Sequence, residues 1–100
     1  MKELTIRHLQ EYIKTNDFDL EWSNGYFQKL IEEVGELSEA IRRNKKQDKN
    51  DGIKGTIDEE LYDVMYYVLA LANIYGVDME SCAYEKEKLN RIRWDRITEL

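Results

Sequence analysis

An all-α fold is what this chain predicts: a four-helix bundle completed by homo-oligomerisation. Three observations carry that reading. Apolar residues recur with the helical period through nearly the whole sequence. No proline occurs among its 100 residues, and proline is the residue that breaks helix interiors. Three polar or glycine-bearing breaks divide the periodic stretches into four.

The elements follow in order. Leu4, Ile6, Leu9, Tyr12 and Ile13 place a first helix over about residues 3 to 15, and Asn16, Asp17 and Asp19 then break it. Ser23 is positioned to cap a second helix that continues to about Asn44. In it, Phe27, Leu30, Ile31, Val34, Leu37 and Ile41 are expected to face inward. The stretch from Asn44 to Gly55 is rich in Lys, Asn, Asp and Gly and reads as a mobile loop. Thr56 followed by Glu59 matches a capping box and starts the third helix, which runs to about Tyr75 with Gly76 suited to end it. Asp78 caps a fourth helix, which carries Met79, Cys82, Ala83, Leu89, Ile92 and Ile97 towards the C-terminus.

The third helix is apolar almost all round. Its main stripe is Leu61, Val64, Met65, Val68, Leu71, Ala72 and Tyr75, while Tyr62, Tyr66 and Leu69 cover a second side and Tyr67, Ala70 and Ile74 a third. A helix apolar on every side is buried on every side. Three neighbours in so short a chain are expected to leave part of it bare for a second copy, giving an obligate homodimer or homotetramer; the alternative is a tightly wrapped monomer.

Residues 1–100 read as one domain, without internal repeat or linker. A net charge of −6 argues against general duplex-DNA binding, which needs a basic surface. Cys82 is the single cysteine and forms no internal disulfide. No apolar run approaches the ~20 residues that span a bilayer, and Met1-Lys2-Glu3-Leu4 leads into no signal-peptide core. The expectation is a cytoplasmic protein with no nucleic-acid or membrane partner.

Two acidic pairs carry the chemistry: Glu33 with Glu36, and Glu60 with Asp63. Each has i, i+3 spacing, so both carboxylates leave one side of a helix. At about 100° per residue, Glu33 lies roughly 90–100° from the middle of its helix's apolar stripe and Glu60 ~80° from that of its own. The inner member of each pair thus sits at the margin of apolar surface. If the two helices are antiparallel, four carboxylates meet in one cleft, where they repel unless protons or cations neutralise them. Oxygen-only ligation favours Mg²⁺, with Mn²⁺ as a substitute, and such ions usually accompany phosphates. Di-iron bundles want Glu-x-x-His on two helices, and zinc wants Cys and His. His8 and Cys82 are too few for either. The run Asp48-Lys49-Asn50-Asp51-Gly52 lacks the register of an EF-hand. Gly35, inside a helix, costs about 0.8–1 kcal/mol relative to alanine, which close packing or room for a ligand would explain. Trp22, Tyr26 and Phe27 are candidates for stacking on a base, or for core.

These residues bring out a resemblance. Lys29-Leu30-Ile31-Glu32-Glu33-Val34-Gly35-Glu36-Leu37-Ser38-Glu39-Ala40 is similar to the first motif of MazG-like nucleotide pyrophosphohydrolases. Glu59-Glu60-Leu61-Tyr62-Asp63-Val64, continuing to Asn73, is similar to their second. The family pattern is EExxE, a variable gap (23 residues here), then ExxD, and the likeness spans roughly residues 22 to 95. It implies an Mg²⁺-dependent hydrolysis of a nucleoside triphosphate to the monophosphate and pyrophosphate, in nucleotide-pool house-cleaning. By position it implies Glu33, Glu36, Glu60 and Asp63 as metal ligands, and Glu32 as the residue that orients or deprotonates the attacking water. Lys29, Lys88, Asn90 and Arg93, with Trp22, are the expected substrate contacts. The superfamily also includes dimeric dUTPases and phosphoribosyl-ATP pyrophosphohydrolases, so the base does not follow from the motifs. The alternatives are an inactive nucleotide- or metal-binding module of the same fold, or an oligomerisation bundle with a solvated acidic rim.

Overall fold

A computed structural model describes residues 3–46 and 52–100 of the chain. Four helices follow one another: α1 (Ile6–Asn16), α2 (Ser23–Arg43), α3 (Ile57–Ile74) and α4 (Met79–Trp94), with a 3₁₀ turn at Leu20–Trp22 leading into α2. The all-α expectation holds. Residues 48–51, part of the Lys-, Asn- and Asp-rich loop compared with an EF-hand, lie outside the described residues.

The helix starts follow their side-chain chemistry. Thr5 accepts from His8 N at 3.0 Å and starts α1, later than the predicted position 3. Asp78 accepts from Glu80 N and Ser81 N and starts α4. At α3 the Thr56 hydroxyl accepts from Glu59 N, as the capping box requires. The Glu59 carboxylate, however, accepts from Gly55 N at 2.7 Å, because Thr56 N already donates to Ile53 O. Ser23 is not the cap of α2. The 3₁₀ turn runs straight into that helix, and Asp19 caps the turn instead. Asn44 ends α2 in the left-handed conformation, and Gly76, at φ 66°, turns the chain after α3. A left-handed Asp95 ends α4, so Ile97 lies beyond the helix.

α2 and α3 are the closest-packed pair, and they run antiparallel. Lys29 lies opposite Tyr67, Glu33 opposite Glu60 and Asp63, and Ile57 N donates to Lys45 O at 2.8 Å. α1 packs on α3, so that Leu9, Ile13, Tyr26, Leu69 and Ala70 form the core. Two polar nodes fix this arrangement. The buried Gln10 side chain donates to Asn73 Oδ1 and Val77 O and accepts from Met79 N, while Asn73 Nδ2 donates to Gln10 O. Asp17 accepts from the hydroxyls of Tyr26 at 2.8 Å and Tyr66 at 2.7 Å, tying α2 and α3 to the end of α1.

The inward face expected for α2 is not buried within one chain. Phe27, Ile31, Val34 and Ile41 are exposed. Of the expected set, Leu30 and Leu37 are half-buried, and the helix also turns Tyr26, Lys29, Glu33 and Ala40 to its covered side. α3 is likewise buried at Leu69, Ala70, Ala72 and Asn73, while Leu61, Met65 and Tyr75 of its main stripe are open to solvent. α4 meets chiefly α1, held at its first turn by Arg7, which pairs with Asp78 and Glu80. Its farther apolar residues are bare, Ile92 at 84%.

Candidate metal centre

Because α2 faces α3 along the seam that carries Glu33, that residue sits deeper than the apolar stripe predicted. One carboxylate oxygen from each of Glu33, Glu60 and Asp63 can be chosen so that all three lie within 4.8 Å of one another. Glu60 is buried, and Glu33 and Asp63 are half-buried. Glu60 Oε2 has no hydrogen-bond partner among the described residues. A buried acceptor without a partner costs about 1–3 kcal/mol, and more when charged. Three carboxylates this close are mutually repulsive.

The electrostatics record both effects. Burial pushes the Glu60 carboxyl above the usual carboxylate range, and the charges of Asp63, Glu33, Glu59 and Glu36 push it further. Asp63 is raised first by burial and then by Glu33 and Glu59, with Lys54 and Lys29 pulling the other way. A hard divalent cation removes the repulsion and satisfies the orphaned oxygen together. The donor set is oxygen only, which suits a hard divalent cation such as Mg²⁺ or Mn²⁺.

The other expected site residues separate into two groups. Glu36 is exposed and outside the tight triad, although its charge still acts on Glu60. Glu32 is exposed on the neighbouring flank, and its charge is the largest influence holding the Lys29 ammonium in its protonated form. Lys29 Nζ lies 3.6 Å from Glu33 Oε1 and 5.8 Å from the centre of the Tyr67 ring. Trp22 lies edge-on to Tyr26, ring centres 4.8 Å apart. Its indole covers Gly25 so closely that a Cβ there would fall 2.0 Å from it. Tyr26 itself is core and Phe27 is exposed. A Cβ on Gly35 would meet nothing within 4 Å, so close packing inside this chain does not explain that glycine.

Lys88, Asn90 and Arg93 are not brought to the triad by any hydrogen bond or ion pair among the described residues. Asn90 donates to Glu87, and Arg93 lies over the Trp94 ring. Arg91 pairs with Glu99 at 2.6 Å. Tyr67 belongs to an apolar side of α3 that adjoins Glu60, and the sequence alone gives it no role at the site. Its place one turn after Asp63, on the flank of Glu60, is the signal that would have put it beside the site.

An antiparallel helix pair with a carboxylate triad at its seam, one member buried and two half-buried, defines an all-α protein with a candidate divalent-cation site. The comparisons narrow that class. The sequence model of the MazG nucleotide pyrophosphohydrolase domain matches residues 23–93, and the chain belongs to that family. Crystal structures of iMazG from Vibrio DAT 722 share its fold. In its Ctag form the identity is 54% over 88% of this chain and 99% of the other, with a TM-score of 0.83. In its Ntag form it is 51% over 93% and 100%, with a TM-score of 0.84. No curated protein matches the chain.

Proposed function

We propose that this protein is an Mg²⁺-dependent nucleoside triphosphate pyrophosphohydrolase that releases a (deoxy)nucleoside monophosphate and pyrophosphate, with Mn²⁺ able to replace Mg²⁺. The observation that carries the reading is the close carboxylate triad around the buried, unpaired Glu60 oxygen, on the two helices that bear the family's motifs. Glu33, Glu60 and Asp63 hold the cation, and Glu36 closes the outer side. When bound, the ion neutralises the phosphates and stabilises charge that develops at the α-phosphoryl group.

The chain's own groups do the rest. Glu32, exposed beside the triad, accepts a proton from the attacking water. Trp22, pinned over Gly25 against the edge of Tyr26, offers a flat apolar face to a base. It precedes Glu33 along α2 by 11 residues, about 16 Å of helix, which sets the base end of a substrate apart from its phosphate end. Lys29 lies between the two and supplies positive charge to the phosphates.

The protein works as a homo-oligomer. An accessible area of 8049 Å² exceeds the roughly 6,000 Å² expected for a compact 12 kDa monomer. A radius of gyration of 15.9 Å exceeds the about 13 Å expected for 100 residues. Both support a second copy on the bare faces of α2, α3 and α4. Lys88, Asn90 and Arg93 then serve phosphates at the triad of a neighbouring copy, since α4's main partner in its own chain is α1. Among the described residues no helix is long and apolar enough to cross a membrane, in keeping with a cytoplasmic role in clearing surplus nucleotides.

The test is a panel of nucleoside triphosphates with Mg²⁺ or Mn²⁺, analysed for both products. Monophosphate with intact pyrophosphate is expected. Diphosphate with orthophosphate would overturn the assigned bond, and metal-dependent binding without product would favour an inactive module.

A further inference from the structure

Among the described residues, Lys29 alone makes an ion pair with a carboxylate of the triad. Lys54, the other cation acting on Asp63, is bound to Glu59 at 3.9 Å and stands 92% exposed. The Lys29–Glu33 pair is not what helix electrostatics would select. A lysine four residues before a glutamate is the weaker order, because the opposite order also suits the helix dipole. The lysine is also held from the other helix, its ammonium lying over the face of Tyr67. Its contacts thus span the α2–α3 seam beside three crowded carboxylates. Its charge bears on the same oxygens that a divalent cation would require.

We propose that Lys29 is the resident counter-ion of the triad, paired with Glu33 while the metal is absent and displaced from it when a divalent cation binds. This rests on the metal-centre reading above and adds to it an exchange of one cation for another. The ammonium stabilises the metal-free fold against carboxylate repulsion, and it weakens metal affinity because the pair must be broken first. Once displaced, it has the Tyr67 face on one side and open solvent on the other, where it can meet a phosphate. A lysine suits this role better than an arginine, whose planar fork would grip the carboxylate in two places.

The test compares wild type with Lys29→Met and Lys29→Arg, using Mn²⁺ alone in calorimetric titration and melting temperature with and without saturating Mg²⁺. Lys29→Met is expected to bind Mn²⁺ about two- to fivefold more tightly, the range set by loss of one partly exposed ion pair. Without metal its melting temperature should fall by about 3–6 °C, and in Mg²⁺ that deficit should vanish. Lys29→Arg, which keeps the charge, should recover the metal-free stability and confirm that the site still folds. Equal Mn²⁺ affinity in wild type and Lys29→Met, or a stability loss that Mg²⁺ does not repair, would overturn the counter-ion role. Failure of wild type itself to bind Mn²⁺ would instead remove the metal centre on which the role depends.

Discussion

The α2–α3 seam and helix α4 spend their apolar and charged residues in opposite ways. At the seam, and where α1 packs against α3, polar groups are drawn inside. Glu60 lies inside, Asp17 holds two tyrosine hydroxyls, and Gln10 and Asn73 clasp α1 to the end of α3. On α4, apolar groups are exposed: Leu89, Ile92 and Trp94 face solvent, while the helix is tied down mainly by charged contacts around Arg7. Each arrangement is unfavourable in isolation. A buried carboxylate wants a cation, and a bare apolar helix wants a partner surface. The comparison teaches that one chain leaves two needs open, a cation at one end and an apolar cover at the other, which the proposed metal and the proposed second copy would meet.

The sharpest break of that comparison is at the seam. Asp63→Ala should lower pyrophosphate release by about a thousandfold or more, as loss of a metal-dependent step does, with helicity unchanged in circular dichroism. Glu60→Gln should abolish activity equally, yet raise the metal-free melting temperature, since a neutral amide replaces a repelled carboxylate. Next comes the bare surface. Wild type should sediment as a dimer or tetramer, and Leu89→Asp with Ile92→Asp should shift it towards monomer and lower activity at dilute protein. Metal affinity of the triad should survive, because α4 supplies none of its oxygens.

Asp17→Ala should cost about 2–3 kcal/mol in urea unfolding, because the Tyr26 and Tyr66 hydroxyls lose their shared acceptor. Burial first, and then that acceptor, push the pKa of the Tyr26 hydroxyl up to about 12. The smallest effect expected is in pH. Glu60 and Asp63 titrate above their ordinary range, so the folded metal-free protein holds these protons more tightly than the unfolded chain does. Their contribution to stability is therefore full at low pH and is lost as pH rises through the raised carboxylate range towards neutrality. Thermal melts of metal-free protein across that window should show the fall, and Glu60→Gln or Mg²⁺ should flatten it.

Much of this was legible in the sequence, and the failures have one physical cause. Thr56, Asp78 and Gly76 announced their turns and caps because that chemistry is local. Glu33, Glu60 and Asp63 were legible from i, i+3 spacing at the margin of an apolar stripe. The side that α2 buries was not. Hydropathy marks Ile31, Val34 and Ile41 as apolar without saying whether they meet their own chain or another surface. Packing turned the helix so that Glu33 entered the seam and Glu36 stayed on the outer flank. Asp17 read as a loop breaker and Asn73 as the tail of a motif. Their roles depend on partners 49 and 63 residues away, which no local pattern encodes.

The central claim is that the triad at the seam is a divalent-cation site. Crystals soaked in Mn²⁺ and measured at its absorption edge test it most directly. An anomalous peak is expected, bounded by oxygens of Glu33, Glu60 and Asp63 at about 2.1–2.3 Å from each. A well-ordered seam with no peak, or a peak bound only by other carboxylates, would contradict it.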